Sequence, residues 1–107
     1  MIEVTYHRSY HRLTIEGHAM SGESGHDLVC AAVSCLAITL ASNVAGLVTS
    51  ETVRRHCIRV EEGSAEVACE PVRKMASVVT LIYDTICTGF ETLQRLYPEN
   101  ISYQVLG

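Results

Sequence analysis

From Leu28 to Ser50 the chain carries no charged side chain. In a sequence of 107 residues, a run of that length leaves few options. It is long enough to cross a bilayer as a helix, or it is the central helix around which a small domain is built. Ser34, Thr39, Ser42, Asn43 and Gly46 dilute its apolar character, and no basic or aromatic flank marks a membrane boundary. The run therefore reads as a buried helix of a soluble protein, from Leu28 to about Leu47, apolar almost all round. Asp27 stands where an N-cap would be, and Gly46 where a helix stops. Ala31, Ala32, Ala37, Ala41 and Ala45 keep the helix slim, so that another backbone can approach closely.

The remaining patterns arrange themselves around this helix in a single domain, residues 1–107. Ile2, Val4 and Tyr6 alternate with Glu3, Thr5 and His7, as in a strand with one buried face. Ser9-Tyr10 supplies a turn, Leu13 and Ile15 alternate on the return strand, and Gly17 ends it. Arg55–Val60 and Ala65–Cys69 read as a second hairpin around Glu62-Gly63-Ser64. Pairing Val60 with Val67 and Ile58 with Cys69 through a Gly63-Ser64 turn keeps the apolar residues on one face. A direct Cys57–Cys69 pairing would set Val60 opposite Glu66, which argues against a disulfide there. Pro71 suits the first turn of a helix. Along that helix Val72, Met75, Ala76, Val79, Tyr83, Ile86, Phe90, Leu93 and Tyr97 keep the 3.6-residue rhythm until Pro98. Ile101, Tyr103 and Val105 make the last strand. The order β-β-α-β-β-α-β predicts an α+β fold, a mostly antiparallel sheet packed with two long helices.

Composition bounds the partners. With 48% hydrophobic and 19% charged residues, the chain has more apolar surface than one small core hides. That predicts self-association, most simply a symmetric homodimer. The net charge is −4, and the basic residues are scattered apart from Arg54-Arg55 and Arg73-Lys74. This gives no electrostatic footprint for nucleic acid and favours a basic partner. Met1 leads directly into Ile2-Glu3-Val4, without the basic start and apolar run of a signal peptide. A cytoplasmic protein with free thiols is expected from the five cysteines. Cys35 and Cys87 read as small buried hydrophobes.

Chemistry concentrates in Gly17–Ser34. A thiol attacks a carbonyl as its thiolate. If Asp27 caps the helix, Cys30 lies in the first turn, where the helix dipole favours an anion by about 0.3–1 kcal/mol. The unpaired amides of that turn are suited to hold an oxyanion, and the small Ala31 and Ala32 leave room for a substrate backbone. The base is either His18, at a strand end, or His26, four positions before Cys30. Gly22 and Gly25 permit the intervening loop to fold back on the helix start, and Ala19–His26 reads as a gate that orders over substrate. A metal held by His18, His26 and Cys30 finds no support in a Cys-x-x-Cys pair, and no cofactor motif is present. Two other readings compete: a binding module in which the thiol is structural, and a redox sensor in which Cys30 pairs with another cysteine.

The string GHAMSGESGHDLVCAAVS closely resembles the signature of the ribosomal-processing cysteine protease family of bacteria: Gly-His-Ala, two loop glycines, Asp, an aliphatic pair and Cys-Ala. The resemblance implies that Cys30 is the nucleophile and His18 its catalytic partner. It makes Asp27 an orienting acid or cap, with Ala31 and Ser34 as supporting positions. Gly17, Gly22, Gly25 and His26 then belong to the substrate loop. It further implies a cofactor-free endopeptidase that forms a homodimer and removes a short N-terminal extension from a large-subunit ribosomal protein. The binding-module alternative becomes ribosome-associated in the same light.

Overall fold

The computed structural model describes residues 1–17 and 26–107, with side chains in the second stretch from Leu28 onward. Strand β1 (Ile2–His7) passes through a 3-10 turn (Arg8–Tyr10) and His11, at φ +48°, into β2 (Arg12–Glu16). Helix α1 runs from His26 to Thr49, and β3 (Val53–Glu61) and β4 (Ser64–Pro71) form a second hairpin. A 3-10 turn (Arg73–Met75) leads into α2 (Ala76–Leu96), and β5 (Ile101–Leu106) follows. The expected element order and the α+β class both hold.

The sheet order is β3-β4-β2-β1-β5. Among the described residues only the β1–β5 pairing is parallel, and the other three are antiparallel. Alternation along each strand gathers Ile2, Val4, Tyr6, Leu13, Ile15, Val67, Cys69 and Ile101 on one buried face. Both helices pack on that face. α1 contributes Val29, Val33, Ala37, Leu40 and Val44, and α2 contributes Val79, Tyr83, Cys87 and Phe90. Each fully buried large side chain is worth about 1.5–3 kcal/mol, so these two stripes hold the layers together. The opposite face of the sheet is solvated and carries charged pairs such as Arg12–Glu66.

Five expectations need correction. α1 is not buried all round: Leu28 is 60% and Ile38 53% exposed. One sheet and one neighbouring helix cover a single side of it, so an uncharged face is left outward. The helix remains long and apolar enough to cross a membrane by length and composition, but its inward stripe is part of the globule's core. Cys35 lies on the outward side and is exposed, whereas Cys87 is buried as expected. Burial pushes the Cys87 thiol up to about 12. The β3–β4 register is displaced by two residues, with Ile58 opposite Val67, Val60 opposite Ala65 and Cys57 opposite Ala68. Gly63 takes φ +77°, placing the tight connection at Glu62-Gly63 rather than at Gly63-Ser64. Pro71 ends β4, opposite Val53, instead of opening α2. All five cysteines are free.

Gly46 does not stop α1 either. The helix continues to Thr49 and ends where Glu51 turns left-handed at φ +60°. The amides of Thr52 and Glu51 then donate to the carbonyls of Leu47 and Val48, which satisfies the last turn in a Schellman arrangement. A side chain at positive φ costs about 1–2 kcal/mol. Glu51→Gly is expected to raise stability by about 1 kcal/mol, read as a higher urea midpoint at unchanged slope.

Where β1 leaves the sheet, it is tied to α2. Arg8 Nη2 and Nε donate to the Asp84 carboxylate at 3.0 and 3.1 Å, and Tyr6 donates its hydroxyl to Asp84 Oδ1 at 2.8 Å. His11 Nε2 meets Thr80 Oγ1 at 2.7 Å. The bonds from Arg8 hold the Asp84 carboxyl below its ordinary value of 3.8, and burial holds His11 below 6.5. Both folded-state values are depressed, so both contributions are full at neutral pH and are lost on acidification. The urea midpoint should fall first as pH drops below 6.5 and again below 3.8. His11→Asn, which tolerates the left-handed backbone, should remove the first step and leave the second.

Candidate active site

Cys30 is half-buried and packs against the core from the side of α1 that turns toward β3. Ser34 lies one helical turn further on the same edge. Together with Gly17, Ala37, Val60 and the hairpin tip Glu61–Ser64, they line a cleft of about 330 Å³. Its floor is apolar, built from Ile2, Ile15, Val33 and Ala65.

The cleft depends on two backbone features. Gly17 ends β2 at φ +99°, and its amide donates to the Gly63 carbonyl at 2.9 Å. This pins the end of the first hairpin to the tip of the second. A Cβ on Gly17 would stand 2.4 Å from the Met1 carbonyl oxygen, so the close approach requires glycine. The tip is braced by side chains as well. Arg59 Nη1 donates to Ser64 Oγ at 2.7 Å, and Ser64 Oγ donates to Glu16 Oε1 at 3.0 Å. Arg59 also lies 3.6 Å from Glu61. The rim of the cleft is consequently acidic, with Glu61 and Glu62 on it and Glu16 behind Ser64.

Of the expected site residues, the structure brings Cys30, Ser34 and Gly17 together. Ala31 is exposed and does not line the cleft; the room beside the thiol comes from Ser34 and Ala37. His18, Gly22 and Gly25 lie outside the described residues, as does the expected gate through residue 25. His26 and Asp27 fall within α1. Asp27 thus stands inside the helix and not at the position before it. A helix running from His26 directs the Cys30 amide at the His26 carbonyl. Sequence reasoning missed the Glu61–Ser64 wall, because it reaches the cleft only through the β2–β4 pairing.

Among the described residues no group of His, Cys, Asp and Glu forms a metal cluster. A larger groove of about 740 Å³ opens at the other end of the sheet, by His11, Arg55 and Cys57. Its charges are spent on each other, Arg12 with Glu66 and Arg55 with Glu70, and Cys57 lies 3.7 Å from a Glu66 carboxylate oxygen. The exposed Cys57 in this groove lies beside a carboxylate, whereas Cys30 lines the smaller cleft next to Ser34 and the hairpin tip.

Relatives bear on that cleft. The ribosomal processing cysteine protease Prp of Mycoplasma pneumoniae is 32% identical over 106 residues, covering 97% of this chain and 94% of that protein. The protein of the same name from Staphylococcus aureus is 32% identical over 87 residues, covering 81% and 78%. Among solved structures, the essential ribosomal processing protease Prp from S. aureus in complex with a substrate peptide superposes with a TM-score of 0.70 at 25% identity, covering 97% and 96%. The same S. aureus protease with a covalently linked product peptide gives 0.70 at 26%. SMU.848 from Streptococcus mutans also gives 0.70 at 26%, covering 99% and 94%. Residues 1–102 match the family model Cysteine protease Prp, and a match of that extent, over a fold with a thiol on an open cleft, makes this chain a member of the Prp family of cysteine proteases.

Proposed function

We propose that this protein is a cytoplasmic, homodimeric endopeptidase that removes a short N-terminal extension from a large-subunit ribosomal protein. The observation that carries the reading is Cys30 on the edge of α1 that lines the Glu61–Ser64 cleft. Cys30 Sγ attacks the scissile carbonyl as its proton passes to His18. The tetrahedral oxyanion then collapses, His18 protonates the leaving amine, and a thioester remains. Water adds to the thioester, giving the free carboxylate and restoring the thiol. No cofactor enters these steps. The acidic rim of Glu61 and Glu62 suits a basic peptide, as an extension on a ribosomal protein would offer.

The natural test is incubation with the host's unprocessed ribosomal protein, followed by mass spectrometry. Two fragments whose masses sum to the precursor plus one water are expected. Tight binding without fragments, unchanged in Cys30→Ala, would favour the ribosome-associated binding module instead.

What supports the homodimer is the outward face of α1, where Leu28, Ala31, Cys35, Ile38, Ser42 and Ala45 present an uncharged surface. Covering it removes apolar area from water. Sedimentation equilibrium at micromolar concentration should give twice the 11.7 kDa chain mass, and Ile38→Glu should shift it toward the single chain. A single-chain mass in the parent protein would overturn the dimer.

A further inference from the structure

Among the described residues β3 is an edge strand with no partner along its outer side. Edges are normally blunted by charges, bulges, prolines or a short length, and of these β3 carries charges, at Arg54, Arg55, Arg59 and Glu61. β3 runs for nine residues, and its one irregularity lies at its start, between Val53 and Arg55. From Arg55 to Glu61 the ladder with β4 is unbroken, so alternate residues of this stretch turn amide and carbonyl groups away from β4. On the helix side of this edge, Ile58 and Val60 are 37% and 43% exposed. They share that side with the buried Val67 and Ala65, which lie directly opposite them. The edge is continuous with the thiol cleft, since Val60 and Glu61 line it together with Cys30 and Ser34. The other edge strand, β5, pairs with β1 at the far side of the sheet and contributes nothing to that cleft.

We propose that the substrate is bound as a sixth strand, paired along the free edge of β3 from Glu61 toward Arg55, with the scissile bond at the Cys30 end. This rests on the protease reading above and specifies how that site holds its peptide. Strand addition supplies affinity through main-chain hydrogen bonds, which are indifferent to sequence, and selectivity through alternate side chains. Every second residue of the bound peptide faces the helix layer, where Val60 and then Ile58 present apolar surface. The intervening residues face the solvated side, beside Arg59 and Glu61. The substrate class is thus an extended segment with apolar residues at every second position next to the cleavage point. A folded loop or a helix does not fit this edge, because neither presents a continuous row of unpaired backbone groups.

The test is a backbone N-methyl scan of a synthetic peptide spanning the cleavage site, with affinity measured on the full-length Cys30→Ala protein. Each methyl group deletes one amide donor without changing a side chain. Methylation at alternate positions should weaken binding by at least about tenfold, and methylation at the positions between should leave it within about twofold. Ile58→Asp, on the same side of the edge but outside the lining of the Cys30 cleft, should raise KM in the active protein, and this exposed position tolerates the change without unfolding. A flat scan, or losses at consecutive positions, would overturn strand addition while cleavage of the unmethylated peptide leaves the protease reading intact. If the unmethylated peptide is not cleaved by the parent enzyme, the protease reading falls and this inference with it. A flat scan together with dissociation of the dimer by Ile58→Pro would assign the edge to a second copy of the chain, which also overturns the proposal.

Discussion

Cys30→Ala is expected to lower the rate of peptide cleavage by at least about a thousandfold while the far-ultraviolet circular dichroism stays that of the parent. The chemistry needs a sulfur nucleophile, and none of the other four thiols reaches the cleft: Cys69 and Cys87 are buried, and Cys35 and Cys57 lie elsewhere on the surface. The structural cost is small, because Cys30 is only half-buried and alanine removes a single atom at the edge of the core. About 1 kcal/mol or less is expected. His18→Ala should produce a comparable loss of turnover, again with the fold retained, and His26→Ala a lesser one. Full activity in His18→Ala with a dead His26→Ala would transfer the role of base to His26. Activity retained in Cys30→Ala would remove the thiol mechanism altogether.

Gly17→Ala carries the largest expected effect on stability. The backbone there sits at φ +99°, a conformation that L side chains rarely adopt, and the added Cβ meets a main-chain oxygen at 2.4 Å. Neither problem is relieved by turning a side chain. Together they should cost about 2–4 kcal/mol, visible as a large drop in the urea midpoint. The Gly17 amide also holds the Gly63 carbonyl, so any relief by backbone movement displaces the tip of the β3–β4 hairpin. Cleavage should therefore fall further than the loss of folded protein explains. A variant within about 0.5 kcal/mol of the parent would show that the β2 end relaxes without cost.

The strands were legible because a two-residue period declares which side chains face inward, as in Ile2, Val4 and Tyr6. The same period explains the register error in the second hairpin. A slip of two residues keeps every side chain on its own face, so the apolar pattern cannot detect it, and the left-handed Gly63 decides. The burial of α1 was misjudged for another reason. A helix that is apolar all round does not say how many neighbours it will have, and this sheet and α2 cover one side of it. In the site, the thiol on a helix was readable from local sequence. Its position within that helix was not, since α1 already includes His26 and Asp27. The hairpin wall was invisible because residues 61–64 and Cys30 are joined only through the sheet. Ala31 was misplaced by the same limit, its small size being useful in a cleft that it does not face.

The parallel pairing of β1 with β5 has a consequence for how the chain reaches its folded form. β1 is made first and lies inside the sheet, between β2 and β5, yet the strand that covers its second edge spans Ile101–Leu106. During synthesis the first hairpin, α1 and the second hairpin can assemble in turn, but β1 keeps an open edge until Ile101–Leu106 has been made. Contacts between such distant segments close late and slowly, and an open edge is an invitation to pair with another strand. The Cys30 cleft lies on the part of the sheet that can form early, whereas the layer beneath α2 depends on the last residues. A chain stalled before Ile101 would therefore present its nascent thiol site together with an aggregation-prone edge, which ties the safety of making this enzyme to the speed at which its final strand arrives.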